Sequence, residues 1–221
     1  MKVYRLETNP IIYSGNAYLV LGDWNKLTDI NALIDTGSDA FIHSHIRRIN
    51  TGVGKVQIEK IILTHTHFDH IGGVADLRKL YKCEVFAYSE YEEKTTTLRG
   101  GEILHLGDNY FEVIYAPGHS SDSICLYNKS EGILFSGDTN IRINSIDGSY
   151  TPEFVNTIQR LSELKLTVIY PGHGDPLVDN PKQILLNTLR CVEKSKIFSP
   201  QTAGIPEASA QTEKTELKLC V

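Results

Sequence analysis

Short apolar runs broken by turn signals fill most of the chain, and helical periods are set between them. Val3-Tyr4-Arg5-Leu6, Ile11-Ile12-Tyr13 and Ala17-Tyr18-Leu19-Val20-Leu21 read as antiparallel strands with Asn-Pro, Ser-Gly and Gly-Asp turns at their ends. Ala32-Leu33-Ile34 is a further strand closed by Asp35-Thr36-Gly37, and Ser38 then predicts the N-cap of a helix to about Asn50. Ile61-Ile62-Leu63 reads as a buried strand. Ile71, Val74, Leu77 and Leu80 recur at helical spacing, and Val85 to Tyr88 returns to a strand pattern. The polar stretch from Ser89 to Arg99 reads as a helix or a loop. Strands are expected at Ile103 to Leu106, Tyr110 to Tyr115, Ser123 to Tyr127, Ile133 to Phe135 and Val168 to Tyr170. Thr151-Pro152-Glu153 opens a helix to about Leu164, with proline in its first turn, and Asn180-Pro181 opens another to about Lys196. From Phe198 the composition shifts to Gln, Thr, Ala, Glu, Lys and Pro. The expectation is one domain over residues 1–197 and a poorly ordered tail over 198–221.

The chemistry sits where strands end. Thr64-His65-Thr66-His67-Phe68-Asp69-His70 follows the Ile61-Ile62-Leu63 strand, so four metal-capable side chains fall within six residues. On an extended backbone, positions two apart point the same way, so His65 and His67 can reach one ion together. Asp69 and His70 lie past a bend and aim elsewhere, toward a second ion. Imidazole nitrogen and carboxylate oxygen suit zinc, iron or manganese. Three further strands end in a glycine followed by a side chain of the same kind. These are Pro117-Gly118-His119-Ser120, Ser136-Gly137-Asp138-Thr139 and Pro171-Gly172-His173-Gly174-Asp175. His43 and His45 form another H-x-H, but on a helix two positions apart do not share a face, and both are expected to face solvent. His105, between Leu104 and Leu106, is expected to be structural or exposed.

His65-x-His67-x-Asp69-His70 after a hydrophobic strand, followed in order by His119, Asp138 and His173, resembles the signature of the metallo-β-lactamase-fold hydrolases, most nearly the glyoxalase II-like branch. The resemblance covers about residues 10 to 180. It implies an α/β fold, an αββα four-layer sandwich. It implies that His65, His67 and His119 bind a first divalent metal ion and Asp69, His70 and His173 a second. Asp138 would bridge the two ions. Zinc is the expected metal, with iron or manganese as alternatives. Asp69 and Asp138 then belong to the catalytic centre, where a hydroxide held by the metals is the nucleophile. Asp35 matches an aspartate that supports the ligands from behind; a ligating histidine needs a partner on its other ring nitrogen.

The activity so implied is hydrolysis of a thioester or another activated acyl compound. Asn140 to Tyr150 lacks the glycine- and arginine-rich continuation of the branch that acts on glutathione conjugates, so a lactone or a different thioester fits equally well. Arg142 and Tyr150 lie on this loop where substrate contacts could arise, and the plainer reading is of ordinary loop residues. The resemblance also admits a mononuclear-iron persulfide dioxygenase. All second-metal ligands are kept here, which favours a dinuclear hydrolase. A phosphodiesterase acting on RNA is disfavoured by the net charge of −5 and the lack of a basic arm. The expected partner is a small-molecule substrate, with no nucleic acid and no membrane; a homodimer is compatible with the sequence. The start of the chain has no secretory pattern, and no apolar run is long enough to span a bilayer. Cys83, Cys125, Cys191 and Cys220 have no paired spacing and read as free thiols in a reducing cytoplasm.

Overall fold

The computed structural model describes residues 1–91 and 94–198. A first sheet is built from β1 (Lys2–Arg5), β2 (Tyr18–Leu21), β3 (Ala32–Ile34), β4 (Lys60–Ile62), β5 (Glu84–Ala87) and β6 (Thr95–Thr97), hydrogen-bonded in that order. Its first three strands are antiparallel and the rest run parallel. The second sheet is built from β7 (Ile103–Leu106), β8 (Asn109–Tyr115), β9 (Ile124–Asn128), β10 (Ile133–Gly137) and, after a two-residue strand β11 (Ser149–Tyr150), β12 (Val168–Pro171). Its order is β12-β10-β9-β8-β7, antiparallel except where β12 runs beside β10. β11 pairs instead with β13 (Lys196–Ile197).

Alternation along the strands sorts side chains into three buried layers. Tyr18, Val20, Ala32, Ile34 and Ile62 meet Phe111, Val113, Ile124, Leu126 and Phe135 between the sheets. The opposite faces carry the residues in between. Leu19, Leu33 and Ile61 pack outward against α1 (His43–Ile46) and α3 (Val74–Tyr81) through Ile46, Val74 and Leu77. Cys125, Leu134 and Ile169 pack outward against α4 (Pro152–Glu163) and α5 (Pro181–Lys194) through Phe154, Ile158, Leu161 and Leu185. The result is the expected order of helices, sheet, sheet, helices. Burying both faces of both sheets explains why their central strands read as continuous apolar runs.

Several expectations fail locally. Ile11-Ile12-Tyr13 is no strand but a loop, with Ile11 91% exposed. Its β-favouring residues have no neighbouring strand there, and Ser38 Oγ donates to the Tyr13 carbonyl at 2.5 Å, fixing the chain in a turn. The helix expected from Ser38 to Asn50 is a 3-10 turn at Ala40–Ile42 followed by the single turn of α1, and the cap is Asp39, whose Oδ1 accepts from the Phe41 amide. His43 and His45 are half-buried and not solvent-facing. His43 Nδ1 lies 2.7 Å from the Tyr81 hydroxyl, and His45 Nδ1 accepts from the Glu7 amide. Cys83 and Cys125 are free and buried, whereas Cys191 is disulfide-bonded. Cys220 and the tail from residue 199 lie outside the described residues. No helix among the described residues is long and apolar enough to cross a membrane.

Candidate metal centre

The seven sequence-predicted ligands come from four separate chain segments and converge at one end of the sandwich, where strands of both sheets stop. His65 and His67 follow β4, and Asp69 and His70 lie in the short helix α2 (Phe68–Ile71) beyond them. His119 lies between β8 and β9, Asp138 directly after β10, and His173 two residues past β12.

Three sets of donor atoms are close enough for one ion each. They are His65, His67 and His119; His65, His70 and Asp138; and Asp69, His70 and His173, with the atoms of each set within 4.8 Å of one another. Asp138 stands between the sets. Its Oδ1 is 3.3 Å from His70 Nε2, and its Oδ2 is 3.5 Å from His119 Nε2, 3.4 Å from His173 Nε2 and 3.8 Å from His65 Nε2. Asp69 Oδ2 reaches His173 Nε2 at 3.1 Å.

Three of these atoms, His65 Nε2, His70 Nε2 and Asp138 Oδ1, are buried without a hydrogen-bond partner. A buried polar atom with no partner costs roughly 1–3 kcal/mol. Three of them facing a common centre, all of kinds that coordinate divalent ions, fit a metal site.

Hydrogen bonds behind the ligands decide which nitrogen faces inward. Asp35 Oδ2 accepts from His70 Nδ1 at 2.9 Å and from Thr64 Oγ1 at 2.8 Å, and Oδ1 accepts from the Thr64 amide. Thr64 Oγ1 gives its proton to Asp35, so it accepts from His65 Nδ1 at 3.1 Å. One carboxylate thus fixes the tautomer of two histidines, the first directly and the second through a hydroxyl, leaving both Nε2 atoms free. Asp35 holds a left-handed backbone with φ 56°, a conformation that aspartate tolerates better than most residues.

Two fixed partners lie outside the sequence reading. Asp122 is buried and accepts from the Thr66 amide, from Thr66 Oγ1 at 2.6 Å and from Ser120 Oγ at 2.6 Å. It ties the loop carrying His65 and His67 to the loop carrying His119. Asn16 Nδ2 donates to the Pro171 and Gly174 carbonyls, which clamps the His173 turn to the first sheet. Neither residue lies in a recognisable motif; a polar residue facing a loop from far along the chain leaves no local signal. The exposed Ile11–Tyr13 loop reaches the same place, with Tyr13 stacked on His173. Gly172 permits the tight approach, since a Cβ there would lie 2.1 Å from Asp138 Oδ1.

The electrostatics agree with this division. Burial pulls His65 down to about 4, which keeps it neutral and ready to coordinate. Burial also acts on His70, but the Asp35 and Asp138 carboxylates outweigh it and raise the pKa to about 10. Burial acts to raise Asp138, but the close approach of His70 and its charge bring it down to about 2.

A family model for the metallo-beta-lactamase superfamily matches residues 12–173. The chain belongs to the metallo-beta-lactamase superfamily. It is 30% identical over 183 residues to the beta-lactamase-like protein 2 homolog of Caenorhabditis elegans, covering 77% of this chain and 59% of that one. It is 40% identical over 88 residues to the hydroxyacylglutathione hydrolase of Francisella tularensis subsp. novicida, covering 38% of this chain and 35% of the relative. The chain therefore spans less than two thirds of either curated relative. Among solved structures, a metallo-beta-lactamase family protein of Thermus thermophilus superposes with a TM-score of 0.63 at 21% identity, covering 85% of this chain and 78% of that one. That likeness fixes the αββα fold. The three donor sets described above are groups that could hold metal ions.

Proposed function

We propose that this superfamily hydrolase cleaves thioesters or comparably activated acyl compounds at a dinuclear metal centre. The observation that carries the reading is the convergence of His65 Nε2, His70 Nε2 and Asp138 Oδ1, buried and unpartnered, with His119 and His173 at the floor of an open cavity of about 350 Å³. The 40% identity to a hydroxyacylglutathione hydrolase over 88 residues favours acyl transfer from sulfur to water.

His65, His67 and His119 would hold one ion and Asp69, His70 and His173 the other, with Asp138 shared between them. Two divalent ions, with zinc expected and iron or manganese as alternatives, would supply Lewis acidity toward a carbonyl oxygen and lower the pKa of water to ~7. The chain's own residues supply geometry and charge. Asp35 and Thr64 hold His65 and His70 in the tautomer that presents Nε2. Asp138 and Asp69 bring two negative charges among the imidazoles, offsetting the repulsion between close cations. The cavity opens on the side of His119 and His173, so the acyl group approaches from there. In the overall step a carbon–oxygen bond to water forms, the carbon–sulfur bond breaks, and the thiol leaves with a proton from water. No side-chain nucleophile is needed: Ser120 Oγ donates to Asp122, and Cys125 is buried with its thiol pushed up to about 12 by burial.

The test is elemental analysis of protein purified without added metal, followed by a thioester and lactone panel. About two equivalents of zinc, iron or manganese with thioester turnover is the expected result. A single iron with oxygen consumption on a persulfide would overturn it in favour of oxidation.

A further inference from the structure

The cavity above the metal-capable cluster has a second chamber. The first chamber is lined by Asp138, His173, Ile141, Arg142, Asp175 and Leu177 among others. The second, of about 330 Å³, is lined by Ser149, Tyr150, Phe154 and Phe198. His119 and Asn140 belong to both, so the two chambers meet beside the cluster.

Their chemistry differs. In the first chamber, Asp138, His119 and His173 belong to the cluster, and Asp175 is paired with Arg5 at 2.7 Å. Arg142 alone among the charged lining residues has neither hydrogen bond nor ion pair among the described residues, and it is exposed to the chamber mouth. Apart from His119, the second chamber is lined by uncharged side chains. Its wall is aromatic: the Tyr150 and Phe154 rings stack with centroids 5.2 Å apart, and Phe198 closes one side. An unpaired guanidinium presents a planar fork of donors suited to a carboxylate or phosphate. An aromatic wall suits an apolar group.

We infer that the site takes an amphipathic substrate, with an apolar, preferably aromatic, group in the Tyr150–Phe154 chamber and an anionic carboxylate or phosphate group held by Arg142, one on each side of the bond to be cleaved. This rests on the acyl-hydrolase reading and narrows it to a substrate class. Arg142 acts as a binding residue and moves no proton.

The test uses the metal-loaded full chain and two sets of compounds. The first comprises S-benzoyl thioesters whose thiol part is neutral, carries a carboxylate, or carries a phosphate monoester. The second is the matching thioethers, with CH2 in place of the carbonyl, which cannot be hydrolysed and report binding by calorimetry. An isomeric pair with the anion on the acyl part and a benzyl thiol covers the opposite orientation. An anionic thioether is expected to bind about tenfold more tightly than the neutral one, with the tighter of carboxylate and phosphate identifying the anion. The preference should vanish in Arg142→Glu and Arg142→Ala. Tyr150→Ala should weaken neutral and anionic thioethers alike and leave the anion preference intact. Equal binding of neutral and anionic thioethers, or a preference that survives Arg142→Glu, would overturn the inference. Arg142-dependent thioether binding without turnover of any thioester would remove the acyl-hydrolase reading and leave the anion site standing. Turnover of all thioesters with no anion preference would do the reverse.

Discussion

The ring of Tyr13 lies on the ring of His173, with centroids 5.2 Å apart and planes 19° from parallel. The phenol oxygen is 3.4 Å from His173 Nε2, too long for a strong hydrogen bond, so the contact is made by the ring face. Tyr13 is 67% exposed and its carbonyl is pinned by Ser38, so it reaches the site from a loop outside both sheets. Such a stack is worth about 1 kcal/mol. Tyr13→Ala should weaken metal affinity at the Asp69, His70 and His173 set by roughly fivefold, with kcat/KM falling alongside, while Tyr13→Phe should stay within about twofold of the parent. Chelator competition measures the first and steady-state kinetics the second. A large loss in Tyr13→Phe would show that the hydroxyl, not the ring, matters.

Asp35→Asn keeps the size of the side chain and a residue that tolerates the left-handed backbone, but removes the charge that orients two histidines. Loss of such a partner typically costs 10–100-fold in metal affinity. The expected result is a folded protein whose metal is removed by a chelator at proportionately lower concentration. Unchanged affinity would mean that Thr64 alone suffices.

His67→Ala and Asp138→Ala should each abolish turnover without unfolding the chain, since His67 is exposed and Asp138 lies in the open cavity. Circular dichroism should remain that of the parent protein. Full activity in either variant would contradict the ligand assignment.

Metal loading should release protons. In the metal-free protein at pH 7, His70 lies below its raised pKa of about 10 and carries both ring protons, whereas His65, at about 4, is already neutral. A coordinating Nε2 cannot keep its proton, so binding at neutral pH expels about one proton from this pair. Affinity through this group then rises with pH until about 10 and levels off above it. Calorimetric titration with zinc in buffers of different ionisation enthalpy counts the proton, and a count of zero from the His65 and His70 pair would overturn the charge assignment.

Asp122→Ala should act on the same site from outside it. It leaves Thr66 and Ser120 without their common acceptor and frees the His67 loop from the His119 loop. The expected loss is about 1–3 kcal/mol of stability, read as a fall in melting temperature, with metal bound less tightly at the His65, His67 and His119 set.

Much of this was legible in the chain because strand ends carry local signals. An apolar run, a glycine and a histidine or aspartate recur at His119, Asp138 and His173, and each proves to be a strand-end turn at the cluster. What could not be read is what depends on distant partners. Ile11-Ile12-Tyr13 has every local mark of a strand, but a strand requires a free edge beside it, and β1 pairs with β2 past this loop. Asp122 sits in a run of serines that could be any turn, and its task depends on Thr66 and Ser120 arriving from either side. The broken helix after Ser38 follows from contacts as well: Gly72 packs so closely on Ser38 that a Cβ would lie 2.0 Å from its carbonyl oxygen, and that packing takes Ser38 out of the helix.

The cluster draws residues 65 to 70 from the first sheet and 119, 138 and 173 from the second. No single hairpin or half of the chain contains a complete set of donors. A chain still being synthesised, or one whose second sheet has not docked, lacks a complete donor set, so the centre comes into being only when the two sheets meet. Ions captured there would also hold the two halves against each other, acting as a latch on the finished sandwich.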